Sequence, residues 1–315
     1  MVVSAVLITG GCGFLGWNIA RGLTQAGEKV ICYDVKEPDP RLIQWKNEKI
    51  TILKGDVGNF QQVLSVVKDE KVEKVVHGGA ILGYSSNADE IRQYMKTNIE
   101  GTLNILEAMR IAGINEGIYL SSEEVYGTFQ TTLAHETHPI DPVGIYAITK
   151  YTGESLINLY HREHGIDCVI FRTCWVYGPG LPRERPPWFL IEKAVKGEKG
   201  FIKNGADHLS DKTYVDDLVQ GVQLALSRKK TKHRVFNIAS GQLTTLGQMV
   251  DIILKIVPGA QIKVGPGLLD NSERVKLPQK GALDITRARE ELGYKPQYDL
   301  EKGLRTYIEW LSKLN

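Results

Sequence analysis

Residues 9–16 read Thr9-Gly10-Gly11-Cys12-Gly13-Phe14-Leu15-Gly16, between an apolar run at 6–8 and an apolar helical pattern that starts at Phe14. Without Cβ atoms, Gly10 and Gly13 let the backbone approach a pyrophosphate, and Gly16 lets the helix pack closely on the sheet. The helix N-terminus offers free N–H groups, at Phe14 and Leu15 among others, to the anion. A strand, a glycine turn and a helix in this order predict a dinucleotide-binding unit.

An acidic residue at the end of the second apolar run supports this prediction. Asp34 lies about 20 residues beyond the glycine turn, where a carboxylate accepts both ribose hydroxyls and repels a 2′-phosphate. This position favours NAD over NADP as the cofactor, although Lys36 lies close enough to weaken the argument. Asp56 and Val57 follow the third run, so we expect them to contact the adenine.

Short apolar runs alternate with helical patterns through the first half of the chain. The runs are residues 6–8, 29–33, 50–53, 74–77, 117–120 and 168–171, and the helical patterns are 14–26, 60–69, 91–112 and 145–163. The runs are continuously apolar, which is typical of strands buried on both faces of a parallel sheet. The sequence therefore predicts an α/β fold with a doubly wound parallel sheet, whose ligand lies beyond the carboxyl ends of the strands.

The pattern changes after residue 175, where prolines and glycines cluster and the helices become shorter. We expect a smaller lobe that covers the cofactor and selects the substrate. The predicted division is a dinucleotide-binding domain of residues 1–175 with about 215–240, and a substrate-binding lobe of residues 176–214 and 241–315.

Composition excludes several classes of protein. The 315 residues are 42% apolar and 24% charged with a formal net charge of +2, so we expect no nucleic-acid partner. No apolar stretch approaches the ~18 residues of a membrane span. The four cysteines have no CxxC spacing and no ligand cluster indicates a metal, which together predict a cytoplasmic protein without a metal site.

A tyrosine and a lysine four residues apart can move a proton. Tyr146 and Lys150 share one face of the helix predicted at 145–163. Lowering a phenol pKa from ~10 to ~7 requires ~4 kcal/mol. A cation at ~4 Å supplies about that much at an effective dielectric constant of ~20. Tyr146 can then act as a general base near neutral pH, while Ser122 holds the substrate oxygen by a hydrogen bond.

Together these motifs resemble an extended short-chain dehydrogenase/reductase of the NAD-dependent epimerase/dehydratase family. The resemblance is carried by residues 9–16, Asp34, 56–57, 98–102, 121–127, 146–150, 177–179 and 214–217. It implies a Rossmann fold, a catalytic set of Ser122, Tyr146 and Lys150, and a second role for Lys150 on the nicotinamide ribose. It further implies that Asn98 supports the active-site geometry and that the chain forms a homodimer through the helices at 91–112 and 146–163. Gly78 and Ala80, in a segment where relatives usually carry an alanine pair, complete the implied cofactor site.

Two positions in the second half depart from the family pattern. Trp175 stands where members acting on nucleotide sugars usually carry Asn, and Ser210 stands where they usually carry Arg. These changes remove an amide and a guanidinium that recognise a diphosphate. A free sugar, a sugar acid or a polyol-derived compound is therefore an alternative to a nucleotide sugar. Four other cations are candidates to hold an acidic substrate group: Lys212, Lys280, Arg183 and Arg185.

Three functions follow from these observations. The first is an NAD-dependent oxidoreductase or epimerase that transfers hydride at a secondary alcohol of a carbohydrate. The second is a nucleotide-sugar dehydratase, in which Glu124 takes a carbon-bound proton, as the resemblance implies for an acid at this position. Against it, Ser121 and Glu124 have the spacing of a helix capping box, which favours a structural role. The third is a non-enzymatic NAD-binding scaffold.

Overall fold

The computed structural model describes residues 5–182, 186–228, 230–269 and 278–314. The strands are β1 Ala5–Thr9, β2 Lys29–Asp34, β3 Ile50–Lys54, β4 Val72–His77, β5 Glu116–Leu120, β6 Leu133–Ala134, β7 Asp167–Thr173, β8 Gly200–Ile202, β9 Leu209–Asp211, β10 Val235–Ile238, β11 Leu243–Thr245, β12 Ile262–Val264 and β13 Ala282–Leu283. The α-helices are α1 Phe14–Gln25, α2 Phe60–Asp69, α3 Ala88–Tyr94, α4 Gly101–Ala112, α5 Ile145–His164, α6 Phe189–Val195, α7 Val215–Ser227, α8 Leu246–Ile256, α9 Thr286–Leu292 and α10 Leu300–Ser312.

Seven strands form one parallel sheet in the order β10-β7-β5-β4-β1-β2-β3. The chain runs outward from β1 to β3, then returns to the other side of β1 at β4. The carboxyl ends of β1 and β4 therefore meet at the switch in strand order, which is where this class of sheet binds its ligand. The predicted α/β doubly wound Rossmann fold is confirmed.

Apolar side chains cover both faces of the sheet. One buried cluster joins α1 and α7 to the sheet through residues such as Trp17 and Val222. The other joins α2, α4 and α5 to the opposite face through residues such as Val63 and Met109. A third cluster, around Tyr177 and residues of α6, α8 and α10, forms the core of the chain's second half. In the described ranges no helix has the length and apolarity needed to cross a bilayer.

The helix predicted at 91–112 differs from a regular α-helix. It begins at Ala88, where the Asn87 side chain accepts the N–H groups of Asp89 and Glu90. One π turn, Met95–Glu100, then separates α3 from α4. Such turns insert a residue into a helix and are frequent at functional sites.

Short strands in the second half were not predicted from the sequence. β8 pairs with β12 and β9 with β11, each over three residues, and β13 adds to β6. Strands of two or three residues have too few positions to show an alternating pattern. The boundary between the two predicted domains stays a prediction.

Candidate active site

The glycine turn has the geometry that a bound phosphate needs. Gly10 has a φ of 67° and its N–H donates to the Tyr33 carbonyl at 3.0 Å. A Cβ added to Gly16 would lie 2.2 Å from the Gly10 carbonyl oxygen, so only glycine permits this contact between the helix and the turn. No side chain caps the N-terminus of α1, which begins at Phe14 and Leu15. Its first N–H groups are thus available to an anion.

Asp34 lies at the end of β2 with its carboxylate fixed against the glycine turn. Its Oδ2 accepts the backbone N–H of Cys12 at 3.1 Å, and its Oδ1 accepts that of Lys36 at 3.1 Å. Each carboxylate oxygen retains a lone pair for another donor. This is the arrangement that the sequence predicts for a ribose-binding acid.

Asp56 and Val57 follow β3 at the same edge of the sheet. The Asp56 Oδ1 accepts the N–H of Gly58 at 2.8 Å, and the Val57 carbonyl accepts Asn104 Nδ2 of α4 at 2.9 Å. The structure therefore places both residues beside Asp34, since β2 and β3 are paired neighbours.

The segment that follows β4 packs directly on the glycine turn. The N–H of Gly78 donates to the Thr9 carbonyl at 3.1 Å, and the N–H of Gly79 donates to Thr9 Oγ1 at 3.1 Å. A Cβ on Gly10 would lie 3.0 Å from the Gly78 carbonyl group. Gly78 and Ala80 are both half-buried in this segment, and their predicted contact with the cofactor stays a prediction.

His77 links three elements through a chain of hydrogen bonds that has one consistent direction. Thr102 Oγ1 donates to the Asn98 carbonyl at 2.6 Å, so it accepts from His77 Nε2 at 3.0 Å. The Nδ1 of a neutral imidazole then accepts from Thr9 Oγ1 at 2.6 Å. Burial lowers the pKa of His77 to about 3, which keeps the ring neutral.

Asn98 lies in the π turn and uses its whole amide group. Its Oδ1 accepts the N–H of Ile81 at 2.7 Å, while its Nδ2 donates to the Ile81 carbonyl at 3.0 Å and to Thr149 Oγ1 at 2.9 Å. Asn98 thus ties the segment after β4 to α5, at the residue that precedes Lys150.

Tyr146 and Lys150 occupy the first two turns of α5. The Lys150 ammonium lies 5.9 Å from the centre of the Tyr146 ring and donates to the Leu120 carbonyl at 2.7 Å. It also lies 4.7 Å from the centre of the Tyr119 ring. Burial lowers the pKa of Lys150 to about 7, and the negative charge of Glu154 only partly opposes this effect. The predicted pair therefore lies together, with the lysine buried and the tyrosine half-buried.

Ser122 follows β5 and caps a short 3-10 helix, Glu123–Tyr126. Its Oγ accepts the N–H of Glu124 at 3.2 Å. The predicted capping box between Ser121 and Glu124 is wrong, because Ser121 Oγ donates instead to the buried Glu154 at 2.6 Å. The 3-10 helix that Ser122 caps packs against α5, the helix that carries Tyr146 and Lys150.

Glu124 lies beside a residue that the sequence did not indicate. The hydroxyl of Tyr84 donates to Glu124 Oε2 at 2.9 Å, and Lys280 Nζ lies 3.7 Å from the same oxygen. Tyr84 belongs to an irregular loop and packs against Gly144, just before α5. Because it has no motif or periodic spacing, sequence analysis gives no signal for it.

Two of the cations that the sequence offers in place of the missing guanidinium, Lys212 and Lys280, bind groups of the protein itself. Lys212 Nζ donates to the Ser210 carbonyl at 3.3 Å and to the carbonyl and hydroxyl of Thr244, both at 3.0 Å. These bonds use all three of its donors, so the expectation that Lys212 binds an acidic substrate group is not supported. Lys280 Nζ donates to the Glu123 and Gly127 carbonyls. Two further candidates lie outside the described residues: Arg183 and Arg185.

Comparison with known proteins agrees with this geometry. Residues 6–239 match the model of the NAD dependent epimerase/dehydratase family. The chain belongs to that family. It is therefore an NAD-dependent enzyme of the extended short-chain dehydrogenase/reductase type, as the motifs predicted.

Several family members align with nearly the whole chain. A Methanocaldococcus jannaschii protein provisionally named a UDP-glucose 4-epimerase is 30% identical, over 98% of this chain and 99% of its own. The UDP-glucuronate 4-epimerase of Thermodesulfobacterium geofontis is 28% identical, over 96% of this chain and 95% of its own. The crystal structure of the Thermotoga maritima UDP-glucose 4-epimerase with UDP-glucose superposes with a TM-score of 0.86 and 26% identity, covering 98% of this chain and 99% of that one.

The cofactor-side residues of this epimerase/dehydratase family member fit NAD. The turn around Gly10 and Gly16 excludes Cβ atoms where a pyrophosphate approaches, and the first N–H groups of α1 have no side-chain cap. A fixed carboxylate at Asp34 suits the two adenosine ribose hydroxyls. The predicted cofactor, NAD, is confirmed by the family.

Proposed function

We propose that this enzyme transfers hydride between NAD and a secondary alcohol of a carbohydrate, with Tyr146 as the general base. The observation that carries the proposal is the buried Lys150 ammonium beneath the Tyr146 ring, at the carboxyl end of β5 where Ser122 begins its turn. NAD supplies the hydride acceptor when it is bound.

The residues of the cleft divide into cofactor-binding and proton-handling groups. We assign the pyrophosphate to the glycine turn and the N-terminus of α1, and the adenosine to the edge formed by Asp34, Asp56 and Val57. Gly78, Ala80 and Asn98 shape the nicotinamide side. The full cofactor set is thus Gly10, Gly13, Phe14, Leu15, Gly16, Asp34, Asp56, Val57, Gly78, Ala80, Asn98, Tyr146 and Lys150.

The proton leaves the substrate by a short route. Ser122 donates a hydrogen bond to the substrate oxygen and holds it beside the Tyr146 phenol. The phenolate of Tyr146 removes the hydroxyl proton as hydride departs, and the positive charge of Lys150 stabilises that phenolate. When NAD is bound, Lys150 would also hold the nicotinamide ribose, as the family resemblance implies.

Epimerisation is the net reaction that we favour. Relatives and superposed structures are named for 4-epimerisation of UDP-glucose or UDP-glucuronate. An epimerase returns hydride to the other face of a reoriented ketone, and it needs the same three side chains as a dehydrogenase. These names do not favour the dehydratase alternative, in which Glu124 removes a carbon-bound proton.

We further propose that the enzyme is a homodimer formed through α4 and α5. On α5, Ile148, Tyr151 and Leu159 recur at helical spacing and are exposed, although they are large and apolar. On the adjoining α4, Leu103 and Ile111 are exposed as well. Neighbouring apolar stripes on two packed helices are typical of a protein–protein contact.

We also propose a cytoplasmic location. The four cysteines are free and buried, and burial raises the pKa of Cys12 to about 12, so this thiol remains protonated. Free buried thiols suit a reducing compartment.

Replacing Tyr146 by Phe tests the catalytic assignment. Because the Tyr146 phenolate is the proton acceptor, we expect Tyr146→Phe to reduce kcat by about 10²- to 10⁴-fold. NAD binding measured by calorimetry should stay within a factor of about two of the parent enzyme. Tyr151→Phe is the matched control: it lies on the face of α5 that we assign to the dimer contact rather than to the cleft, and it should keep full activity. Turnover by Tyr146→Phe at the parent rate would refute the proposal.

A further inference from the structure

The 3-10 helix that follows Ser122 is held by a lysine from a distant part of the chain. Lys280 Nζ donates to the carbonyl of Glu123 at 3.3 Å and to that of Gly127 at 3.0 Å. Glu123 is the first residue of the helix and Gly127 follows its last, so one ammonium group joins the two ends of the turn. Hydrogen bonds from a charged donor are stronger than those between neutral groups. The shape of this turn therefore depends on Lys280.

The same ammonium group faces the side chain of Glu124. Lys280 Nζ lies 3.7 Å from Glu124 Oε2, and the hydroxyl of Tyr84 donates to this oxygen at 2.9 Å. Tyr84 comes from the loop after β4, whereas Lys280 precedes β13, so the carboxylate is held from two separate parts of the fold. The Lys280 side chain is only 3% exposed, and charges shielded from water are screened much less than those on the surface. These contacts fix Glu124 as well as the ends of the turn.

The backbone around Lys280 is itself paired on both sides. The N–H of Phe129 donates to the Gln279 carbonyl at 2.8 Å, and the N–H of Ala282 donates to the Thr132 carbonyl at 2.8 Å. The ammonium group also lies 5.3 Å from the centre of the Phe129 ring, within the range of a cation–π interaction. The fold therefore sets the position of this ammonium group.

The backbone of Glu124 determines the direction of the Ser122 hydroxyl. The N–H of Glu124 donates to Ser122 Oγ at 3.2 Å, and only a lone pair of that oxygen can accept it. The hydroxyl proton of Ser122 must then point away from this N–H, where it is available to another acceptor. A displacement of the 3-10 helix would move the N–H and rotate the hydroxyl with it.

We propose that Lys280 and Tyr84 are positioning residues for the hydroxyl group of Ser122. They hold Glu124 and both ends of the 3-10 helix, so that Ser122 donates to the substrate oxygen in the orientation that proton transfer to Tyr146 requires. The inference rests on the proposed function, because it takes the contact between Ser122 and the substrate from there. Both residues act through Ser122 and not on the reacting atoms.

A double-mutant cycle with Ser122 distinguishes positioning from a purely structural role. The probe is whichever of UDP-glucose, UDP-glucuronate, glucose and glucuronate the parent enzyme oxidises or epimerises fastest. Lys280→Met keeps the aliphatic stem, and it should lower kcat roughly tenfold with KM within about twofold, because a misplaced group slows the chemical step. In the Ser122→Ala background the same substitution should change kcat by less than about twofold. An equal loss of kcat in both backgrounds would overturn the inference.

Lys74→Met is the matched control for Lys280→Met. Lys74 Nζ donates to the Leu226 carbonyl at 2.6 Å and pairs with Glu116 at 3.3 Å, so it too joins a carbonyl and a carboxylate. It lies near the amino end of β4, opposite the cleft. Lys74→Met should keep the kcat and KM of the parent, and a fall in kcat as large as that of Lys280→Met would contradict a role specific to the 3-10 helix.

Hydrogen exchange measured by mass spectrometry tests the hold on the turn without any need for turnover. In the NAD-loaded enzyme, the amides of residues 121–127 should exchange roughly tenfold faster in Lys280→Met than in the parent. Lys74→Met should leave their exchange unchanged. Tyr84→Phe removes one hydroxyl from an exposed side chain, and it should accelerate the same amides about threefold. This second variant decides the question if Lys280→Met does not fold.

The two proposals fail separately. Turnover by Tyr146→Phe at the parent rate refutes the general-base assignment but does not alter the exchange of residues 121–127. Exchange of this segment at the parent rate in both Lys280→Met and Tyr84→Phe refutes the positioning role, whatever the activity of Tyr146→Phe.

Discussion

Lys150 is assigned a catalytic role, and burial strongly disfavours the charged form of its side chain. The ammonium is almost fully enclosed and has one hydrogen-bond acceptor among the described residues, the Leu120 carbonyl. Its pKa falls from 10.5 to about 7 because burial disfavours the charge. Without cofactor, the folded chain therefore releases this proton near neutral pH, whereas the unfolded chain keeps it until the solution is alkaline.

This difference predicts how the stability of a Lys150 variant depends on pH. Between the folded and unfolded pKa values the unfolded state binds more protons, so the free energy of unfolding rises with pH. Lys150→Met removes the titrating group and with it this pH-dependent contribution to stability. The variant should therefore be more stable than the parent at pH 7, and its advantage should shrink by a few kcal/mol toward pH 10, at about 1.4 kcal/mol per pKa unit. Urea denaturation without NAD at several pH values measures it.

A matched lysine checks this prediction. Lys68 is exposed on α2, so Lys68→Met should show a stability difference from the parent that is the same at each pH. If the stability difference between Lys150→Met and the parent were also the same at each pH, the lowered pKa of Lys150 would be contradicted.

At the scale of elements, the π turn positions the amide of Asn98. Asn98→Ala leaves the backbone groups of Ile81 and the hydroxyl of Thr149 without their partner. We expect a loss of about 2–3 kcal/mol in the free energy of unfolding. We also expect a fall in kcat, since the segment after β4 and α5 are no longer tied together. Chemical denaturation and steady-state kinetics measure the two effects.

The control is Asn87, at the start of α3, the helix that precedes the π turn. The Asn87 side chain caps α3 by accepting the N–H groups of Asp89 and Glu90, and neither partner is one of the proposed site residues. Asn87→Ala should cost about 1 kcal/mol and leave kcat unchanged. If both variants lost stability but neither lost activity, Asn98 would have only a structural role.

Periodic elements could be predicted from the sequence, while local irregularities could not. The glycine turn, Asp34, Tyr146 and Lys150 lie at fixed positions relative to strands and helices, so their spacing determines where they meet. The π turn gives no signal, because one inserted residue alters the apolar pattern too little to detect. Tyr84 also gives none, since its contact with Glu124 joins two irregular segments. The spacing indicates Ser121 as the cap beside Glu124, whereas Ser122 is the residue that caps the 3-10 helix, because this segment is also irregular.

For the whole molecule, the apolar stripes on α4 and α5 predict how the enzyme assembles. Ile148→Glu together with Leu159→Glu places two like charges of each protomer in the proposed contact, and should convert a dimer into a monomer because buried unpaired charges are costly. Light scattering coupled to size-exclusion chromatography measures the mass.

An apolar residue on another surface provides the comparison. Leu254 is exposed on α8, so Leu254→Lys should keep the mass of the parent. A parent enzyme that runs as a monomer, or a double variant that keeps the dimer mass, would disprove the proposed interface.

The one-directional chain through His77 makes part of the cleft insensitive to acidity. With a pKa of about 3, this imidazole keeps the same proton on the same nitrogen over the whole range in which cells operate. The framework from Thr9 to Asn98 is then identical in mildly acidic and mildly alkaline solution. Any change of catalytic rate across that range must originate in other groups, and the histidine acts as a fixed spacer rather than a sensor.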